Sequence, residues 1–296
     1  MKKIGFIGLG HMGLPMVKNL IASQFQVTVY DLVENAIKEA VSYGATAAHS
    51  AAECAKAAEV VFTMLQTGLQ VKSSCIGETG IFSQLNSNAL FIDCSSIDIH
   101  TSRELHEIAQ SHGIAMCDAP VSGGIAGAHH KTLTFMVGGE ADSFDRAQPF
   151  LSAMGKNIIY AGAAGSGVAA KICNNMILGT SMIAVCEAFG LANKLGLDPQ
   201  KLFEISSHAS GQCWSLTNYC PWPNILPDVP SSHAYQPGFS AKMMLKDLQL
   251  SQDAAAVSHA ITPLGKQATE LYKSFVAMQA GEIDFSAIIN LFCETK

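Results

Sequence analysis

The chain has 296 residues, 49% of them hydrophobic and 14% charged, with a formal net charge of −6. That is enough apolar content for one large or two ordinary domains with buried cores, and an acidic balance without a basic stripe excludes nucleic acid as the expected partner. Nine cysteines with no Cys-x-x-Cys pair read as reduced thiols of a cytoplasmic protein. No metal is expected either, because the adjacent His129 and His130 read as a surface pair in a polar loop.

The opening Met1-Lys2-Lys3 and the apolar run behind it imitate a secretion signal. Gly8, Gly10, His11 and Gly13 interrupt the run, so no leader is expected. Residues 4–9 instead read as a strand, 14–23 as a helix and 26–30 as a second strand that stops at Asp31. Between the first strand and the helix lies Gly8-Leu9-Gly10-His11-Met12-Gly13. A G-x-G-x-x-G string is weak alone, but here it has the strand, the helix and an acid about 20 residues on that a dinucleotide requires. Gly8 allows the tight turn, Gly10 the approach of a pyrophosphate, and Gly13 close packing of helix on strand. The helix N-terminus then faces the phosphates.

Asp31 also bears on which dinucleotide binds. A carboxylate at the end of the second strand accepts bonds from ribose hydroxyls but repels a 2′-phosphate. At ~4 Å and an effective dielectric of ~20, two like charges cost about 4 kcal/mol before solvent screening. Leu32, Val33, Glu34 and Asn35 follow with no arginine, so NAD is the expected cofactor.

Helical patterns over 34–43 and 51–57 alternate with strand patterns over 60–65, 90–93, 115–118, 132–137 and 157–160. The alternation predicts a mostly parallel, doubly wound sheet, and the closer spacing of the later strands predicts an antiparallel or mixed edge. Composition shifts near Gly162, which suggests domains over 1–163 and 164–296. Residues 167–195 form one long helical pattern, about 45 Å at 1.5 Å per residue. It is apolar on most faces, which predicts burial on all sides. It is expected to join the domains, serve as the spine of the second and make subunit contacts. Its most apolar stretch, 176–186, is too short to cross a bilayer, so no membrane partner is expected. Further helices are predicted over 199–207, 240–256, 263–280 and 285–293. A Pro-rich loop over 221–237 carries Trp222 and Tyr235, and loops this long are often functional.

Three groups of residues carry candidate chemistry. Lys171 and Asn175 stand four apart on the long helix and share a face. The plain alternative is a lysine reaching out to solvent, but its neighbours are apolar and it follows the expected domain junction. Oxidising an alcohol with NAD removes a hydride from carbon and a proton from oxygen, and a buried lysine can take that proton without zinc. Asp118-Ala119-Pro120-Val121-Ser122-Gly123-Gly124 follows a strand and can aim N–H groups and a hydroxyl at a carboxylate. An ordinary strand-to-loop turn is the alternative there. The pair Lys246-Asp247 reads, without context, as a solvated helix face.

Together these blocks resemble the β-hydroxyacid dehydrogenase family over nearly the whole chain, and most closely its 3-hydroxyisobutyrate-oxidising branch. Residues 6–16 look like its cofactor fingerprint, 118–124 its substrate motif, 167–175 its catalytic motif, and Lys246-Asp247-Leu248 with Asp253 a fourth, cofactor-proximal motif. Ser210 to Ser215 and Pro237-Gly238-Phe239 carry the likeness to the hydroxyisobutyrate branch. The resemblance implies an α/β Rossmann-type N-terminal domain and an all-α C-terminal domain joined by a long helix. It implies NAD-dependent oxidation of 3-hydroxyisobutyrate to methylmalonate semialdehyde, a step of valine breakdown, by a homodimer or homotetramer.

The same resemblance assigns Lys171 as general acid/base and Asn175 as its substrate-holding partner. It assigns Ser122, Gly123 and Gly124 to the substrate carboxylate, Trp214 to the pocket wall, and Asp247 to the catalytic face. Met64, Leu65, Ser96 and Lys246 join Gly8, Leu9, Gly10, His11, Met12, Gly13 and Asp31 along the cofactor. Gln66 departs from the family's usual proline, which leaves the local loop path open. Sibling reductases of tartronate semialdehyde, succinic semialdehyde or glyoxylate use the same machinery. A non-catalytic NAD sensor is the alternative of a different class.

Overall fold

The apolar runs of the first half pair into one nine-stranded sheet. The structure, a computed structural model, describes residues 2–293, and the chain divides into two units at Lys171/Ile172. In chain order the first unit holds β1 (Lys3–Ile7), α1 (Gly13–Ala22), β2 (Gln26–Tyr30), α2 (Glu34–Ser42), β3 (Thr46–Ala47), α3 (Ala51–Ala55) and β4 (Val60–Thr63). There follow α4 (Gly68–Cys75), α5 (Ile81–Gln84), β5 (Leu90–Asp93), α6 (Ile99–Ser111), β6 (Ala115–Asp118), β7 (Val121–Ser122), α7 (Gly124–His129), β8 (Leu133–Gly139), α8 (Ala141–Leu151) and β9 (Gly155–Gly162).

Strand order is β3-β2-β1-β4-β5-β6-β8-β7, with β9 on β8. From β3 to β6 every pairing is parallel. The edge is mixed as expected, since β8 runs antiparallel to β6 and β7. The central strands β4 and β5 are buried at every position, as strands covered on both faces must be. Phe6 of β1 and Phe62 of β4 stack at 5.7 Å.

Two strand ends fall short of the sequence pattern for one reason. The strand expected over 4–9 stops at Ile7, because Gly8 turns the chain at φ +98°, and the one over 60–65 stops at Thr63, where Met64 and Leu65 leave for the loop. β3, β7 and the helices α4 to α8 escaped the pattern. The first two are two residues long, and the helices bury narrow faces, such as Val71 and Cys75 alone in α4. His129 closes α7 and His130 follows it, so the pair sits at a helix end and is exposed.

β6 ends in Asp118, which is fully buried. Its Oδ1 accepts the Gly165 N–H at 2.9 Å and its Oδ2 the Val168 N–H at 2.9 Å. These amides open α9 (Ser166–Lys194) and would otherwise lack partners. His106 Nε2 on α6 donates to the same Oδ1 at 2.9 Å. Glycine is needed at the junction: a Cβ on Gly167 would strike the Met136 and Asp118 carbonyls, and one on Gly138 the Asp118 carboxylate.

The second unit continues α9 and adds α10 (Pro199–Ser207), α11 (Trp214–Thr217), α12 (Ala241–Ser258) and α13 (Pro263–Phe275). Met182, Phe189, Met244, Leu248, Tyr272 and Phe285 form its core. The helix expected over 263–280 loosens into a π-turn at Val276–Ala280, and that over 285–293 is a 3₁₀ helix, Phe285–Leu291. α9 corrects the expectation of burial on all sides. By length and composition it could cross a membrane, yet half of its most apolar window is buried in the protein. Cys173, Ile177, Ala184 and Leu191 form a stripe that remains exposed. Composition revealed the apolar faces but not which of them a neighbouring helix covers. The loop 221–237 is fastened by its own bonds: Tyr235 Oη donates to the Pro221 carbonyl at 2.9 Å, and Ser231 Oγ to the Cys220 carbonyl at 2.7 Å.

Asp118→Ala strands the half-buried His106 and two α9 amides. Urea unfolding should show a loss of about 3–5 kcal/mol, and an unchanged midpoint would mean that α9 does not depend on the carboxylate.

Candidate functional site

The glycine turn has the form a dinucleotide needs. The Gly8 N–H bonds the Tyr30 carbonyl at 3.0 Å, which ties the turn to the end of β2. A Cβ on Gly13 would overlap the Gly8 carbonyl and crowd the Phe6 ring, so only glycine lets α1 lie so close to β1. At Gly10 the reverse holds: a Cβ there meets no protein atom within 4 Å. Gly10 and His11 are exposed, Met12 is half-buried, and no side chain caps α1. Uncapped amides beside an open, glycine-lined surface fit a pyrophosphate.

Asp31 does two local jobs. Its Oδ2 accepts the Leu9 N–H at 2.6 Å and its Oδ1 the Val33 N–H at 2.8 Å. The acid thus braces the turn and stands at the end of β2, half-buried, where a ribose belongs.

Met64 and Leu65 lie against the same turn, since a Cβ on Gly8 would meet the Met64 carbonyl and the Leu65 side chain. The Leu65 N–H donates to Ser95 Oγ at 2.9 Å. Gln66 settles the loop path: its N–H, which a proline would lack, donates to Gln70 Oε1 at 3.0 Å. Thr67 and Gln70 then form a capping box on α4. Ser96 is half-buried three residues beyond Asp93, which ends β5.

Ser122 closes β7, and Gly123 (φ +130°) and Gly124 (φ +62°) turn the chain into α7. Consecutive left-handed positions of this kind require glycine.

α9 carries Lys171 and, one turn on, Asn175, with Lys171 9% and Asn175 1% exposed. The solvent-reaching alternative for this lysine therefore fails. In the second unit Gly179 lets α12 approach α9, its Cβ position lying 3.0 Å from the Leu248 side chain. That approach brings Asp247 Oδ2 to the Asn175 amide, whose Nδ2 donates to it at 2.5 Å. Asn174 Nδ2 donates to Asn175 Oδ1 at 3.0 Å. Lys246 Nζ lies 3.2 Å from Asp247 Oδ1. That contact is an ion pair without hydrogen-bond geometry, and among the described residues Oδ1 has no hydrogen-bond partner. Asp247 is 4% exposed, so the pair is no solvated face.

Trp214 is 48% exposed at the start of α11 and stacks on Tyr219 at 5.0 Å. Tyr219 Oη donates to Asp284 Oδ2 at 2.9 Å, and the same oxygen accepts the Gly238 and Phe239 N–H groups. Burial and the Asp284 charge push the Tyr219 phenol far above its ordinary value. Asp284 was missed from the sequence, where nothing marks a lone acid as the anchor of a loop 46 residues away.

Comparisons with known proteins agree with this geometry. Residues 3–162 match the family described as the NAD binding domain of 6-phosphogluconate dehydrogenase. Residues 165–292 match that described as NAD-binding of NADP-dependent 3-hydroxyisobutyrate dehydrogenase. A 3-hydroxyisobutyrate dehydrogenase of Pseudomonas aeruginosa is 44% identical over 99% of each chain. An NAD-dependent L-serine dehydrogenase of the same organism is 43% identical over 100% of this chain and 99% of its own. The structure of a Mycobacterium tuberculosis 3-hydroxyisobutyrate dehydrogenase with L-serine superposes with a TM-score of 0.93 at 44% identity, covering 98% of this chain and 99% of that one.

Asp31→Ala removes both the ribose acceptor and the charge opposed to a 2′-phosphate. Titration with each dinucleotide should show the NAD-to-NADP affinity ratio falling by about tenfold or more. An unchanged ratio would mean that the acid does not face the ribose.

Proposed function

The chain belongs to the β-hydroxyacid dehydrogenase family, and from that membership we propose that it oxidises 3-hydroxyisobutyrate to methylmalonate semialdehyde with NAD. The supporting observation is Lys171, a lysine 9% exposed on the helix face it shares with Asn175. A dinucleotide held at the Gly8–Gly13 turn would supply the hydride acceptor for C3 of the substrate. Lys171 Nζ takes the proton of the C3 hydroxyl, and in reduction its ammonium returns it. Asp247 decides how Asn175 points: Nδ2 donates to the acid, and Oδ1, which already accepts Asn174 Nδ2, keeps a second lone pair for the lysine ammonium or the substrate hydroxyl. Ser122, Gly123 and Gly124 are assigned to the substrate carboxylate and Lys246 to the cofactor.

Asp31 supports NAD over NADP, despite the NADP-dependent enzyme named in the family description of the second half. Trp214 supplies an apolar wall for the methyl group at C2. All nine cysteines are free, which suits a cytoplasmic enzyme. A second copy of the chain covers the exposed stripe of α9 and gives the dimer or tetramer.

The L-serine dehydrogenase relative favours a second reading. L-serine differs from hydroxyisobutyrate in carrying an ammonium where the latter has a methyl. An indole wall prefers the methyl, by about 1–3 kcal/mol for a group of this size.

Initial rates on 3-hydroxyisobutyrate, L-serine, D-glycerate and 4-hydroxybutyrate, with NAD and with NADP, test the proposal. The highest kcat/KM should fall on hydroxyisobutyrate with NAD, by about tenfold or more, from a species that light scattering shows to be larger than a monomer. Preference for L-serine would establish the second reading, and preference for glycerate or hydroxybutyrate a sibling enzyme. Silence on all four with NAD still bound would favour a sensor.

A further inference from the structure

We propose that Asp93, buried beneath the cofactor turn, is a positioning residue that sets the Met64–Leu65 loop for dinucleotide binding through Ser95, and that it acts in its ionised form, so that cofactor binding releases its proton. The inference rests on the NAD-binding domain alone and is independent of the substrate.

Asp93 ends β5 in register with Thr63 at the end of β4 and Asp118 at the end of β6. It is 1% exposed. Its Oδ1 accepts the Thr63 hydroxyl at 2.8 Å and the Ser95 N–H at 3.1 Å. Ser95 Oγ in turn accepts the Leu65 N–H at 2.9 Å. Leu65 and the Met64 carbonyl press on Gly8, where no Cβ would fit. One unbroken series of contacts thus runs from a buried acid through Ser95 and Leu65 to the turn that receives the pyrophosphate.

The other carboxylate oxygen, Oδ2, is buried and among the described residues has no hydrogen-bond partner. A neutral amide or hydroxyl could hold Ser95 without burying a charge, so an acid here is an unneeded cost unless its charge is used. The titratable groups around it are Asp118 of β6, with His106 of α6 against it, Cys75 of α4 and the adjacent Cys94. Burial raises the Asp93 carboxyl to about 6, and the like charge of Asp118 adds to this against the bonds from Ser95 and Thr63.

Above that value the charged carboxylate holds the Ser95 N–H more firmly, and with it the Ser95 hydroxyl that accepts the Leu65 amide. Below it a proton sits on Oδ2, Oδ1 becomes a weaker acceptor, and the loop is held less firmly. If the ionised form binds the cofactor better, the cofactor lowers the proton affinity of Asp93 by the same factor.

The test is NAD binding by titration calorimetry between pH 5.5 and 8, on the full chain, for wild type, Asp93→Asn and Ser95→Ala. Wild-type affinity should fall as the pH drops through 6, by about 3- to 10-fold relative to Asp93→Asn, the range set by one backbone hydrogen bond. Asp93→Asn should bind NAD more weakly at pH 7.5 by a similar factor. His11 of the turn is common to both proteins and cancels in their ratio. In buffers of different ionisation enthalpy at pH 6, wild type should release a fraction of a proton that Asp93→Asn does not. Ser95→Ala keeps the acid but breaks the relay, so it too should bind weakly and lose the pH-dependent difference. It decides the matter if Asp93→Asn does not fold. An Asp93→Asn or Ser95→Ala protein with the wild-type pH slope and proton release would overturn the proposal.

Discussion

One buried carboxylate fastens the helix that carries Lys171. Asp118 sits at the end of a sheet strand and accepts two N–H groups from the start of α9 while His106 supports it from α6. The arrangement requires glycine at 138 and 167, because side chains there would fill the space the carboxylate and the helix share. Four residues beyond Gly167 on the same helix stands Lys171. A helix whose first amides are tied to the sheet cannot slide or fray without exposing a buried charge, so the lysine inherits the rigidity of the sheet.

The carboxyl ends of β4, β5 and β6 repeat this device. Thr63, Asp93 and Asp118 form one row in register. The two acids direct polar bonds beyond the strand ends, Asp93 to Ser95 beneath the Met64–Leu65 loop and Asp118 to α9. Ligands of open α/β sheets bind beyond the carboxyl ends of the strands, and here those ends also hold the loops and helix that shape the site. In the second unit Asp284 has the same role for Tyr219, Gly238 and Phe239, and so for the seat of Trp214.

The glycine turn, β2 and Asp31 were legible because their signals are local, a few residues of pattern with fixed spacing. The parallel sheet, its mixed edge and the helical second half followed from the same periodicities. Pairings between distant residues were not legible. Asn175 and Asp247 stand 72 apart, and only the close approach of α9 and α12 at Gly179 joins them. Lys246-Asp247 therefore looked like a solvated face while its acid is buried. Asp118 was visible as part of a motif, yet its hold on α9 depends on a chain crossing that no spacing encodes. α4 was missed although Thr67 and Gln70 spell a capping box, because its apolar face is too narrow to register as a period.

The most direct measurement is the turnover of Lys171→Ala at saturating NAD, with and without small primary amines. The account predicts a loss of about 10²–10⁴-fold with NAD binding intact, and recovery that grows with the concentration and basicity of the added amine. Turnover near that of the unaltered enzyme, or an inactive variant that binds NAD normally and that no amine revives, would contradict Lys171 as the group that moves the proton.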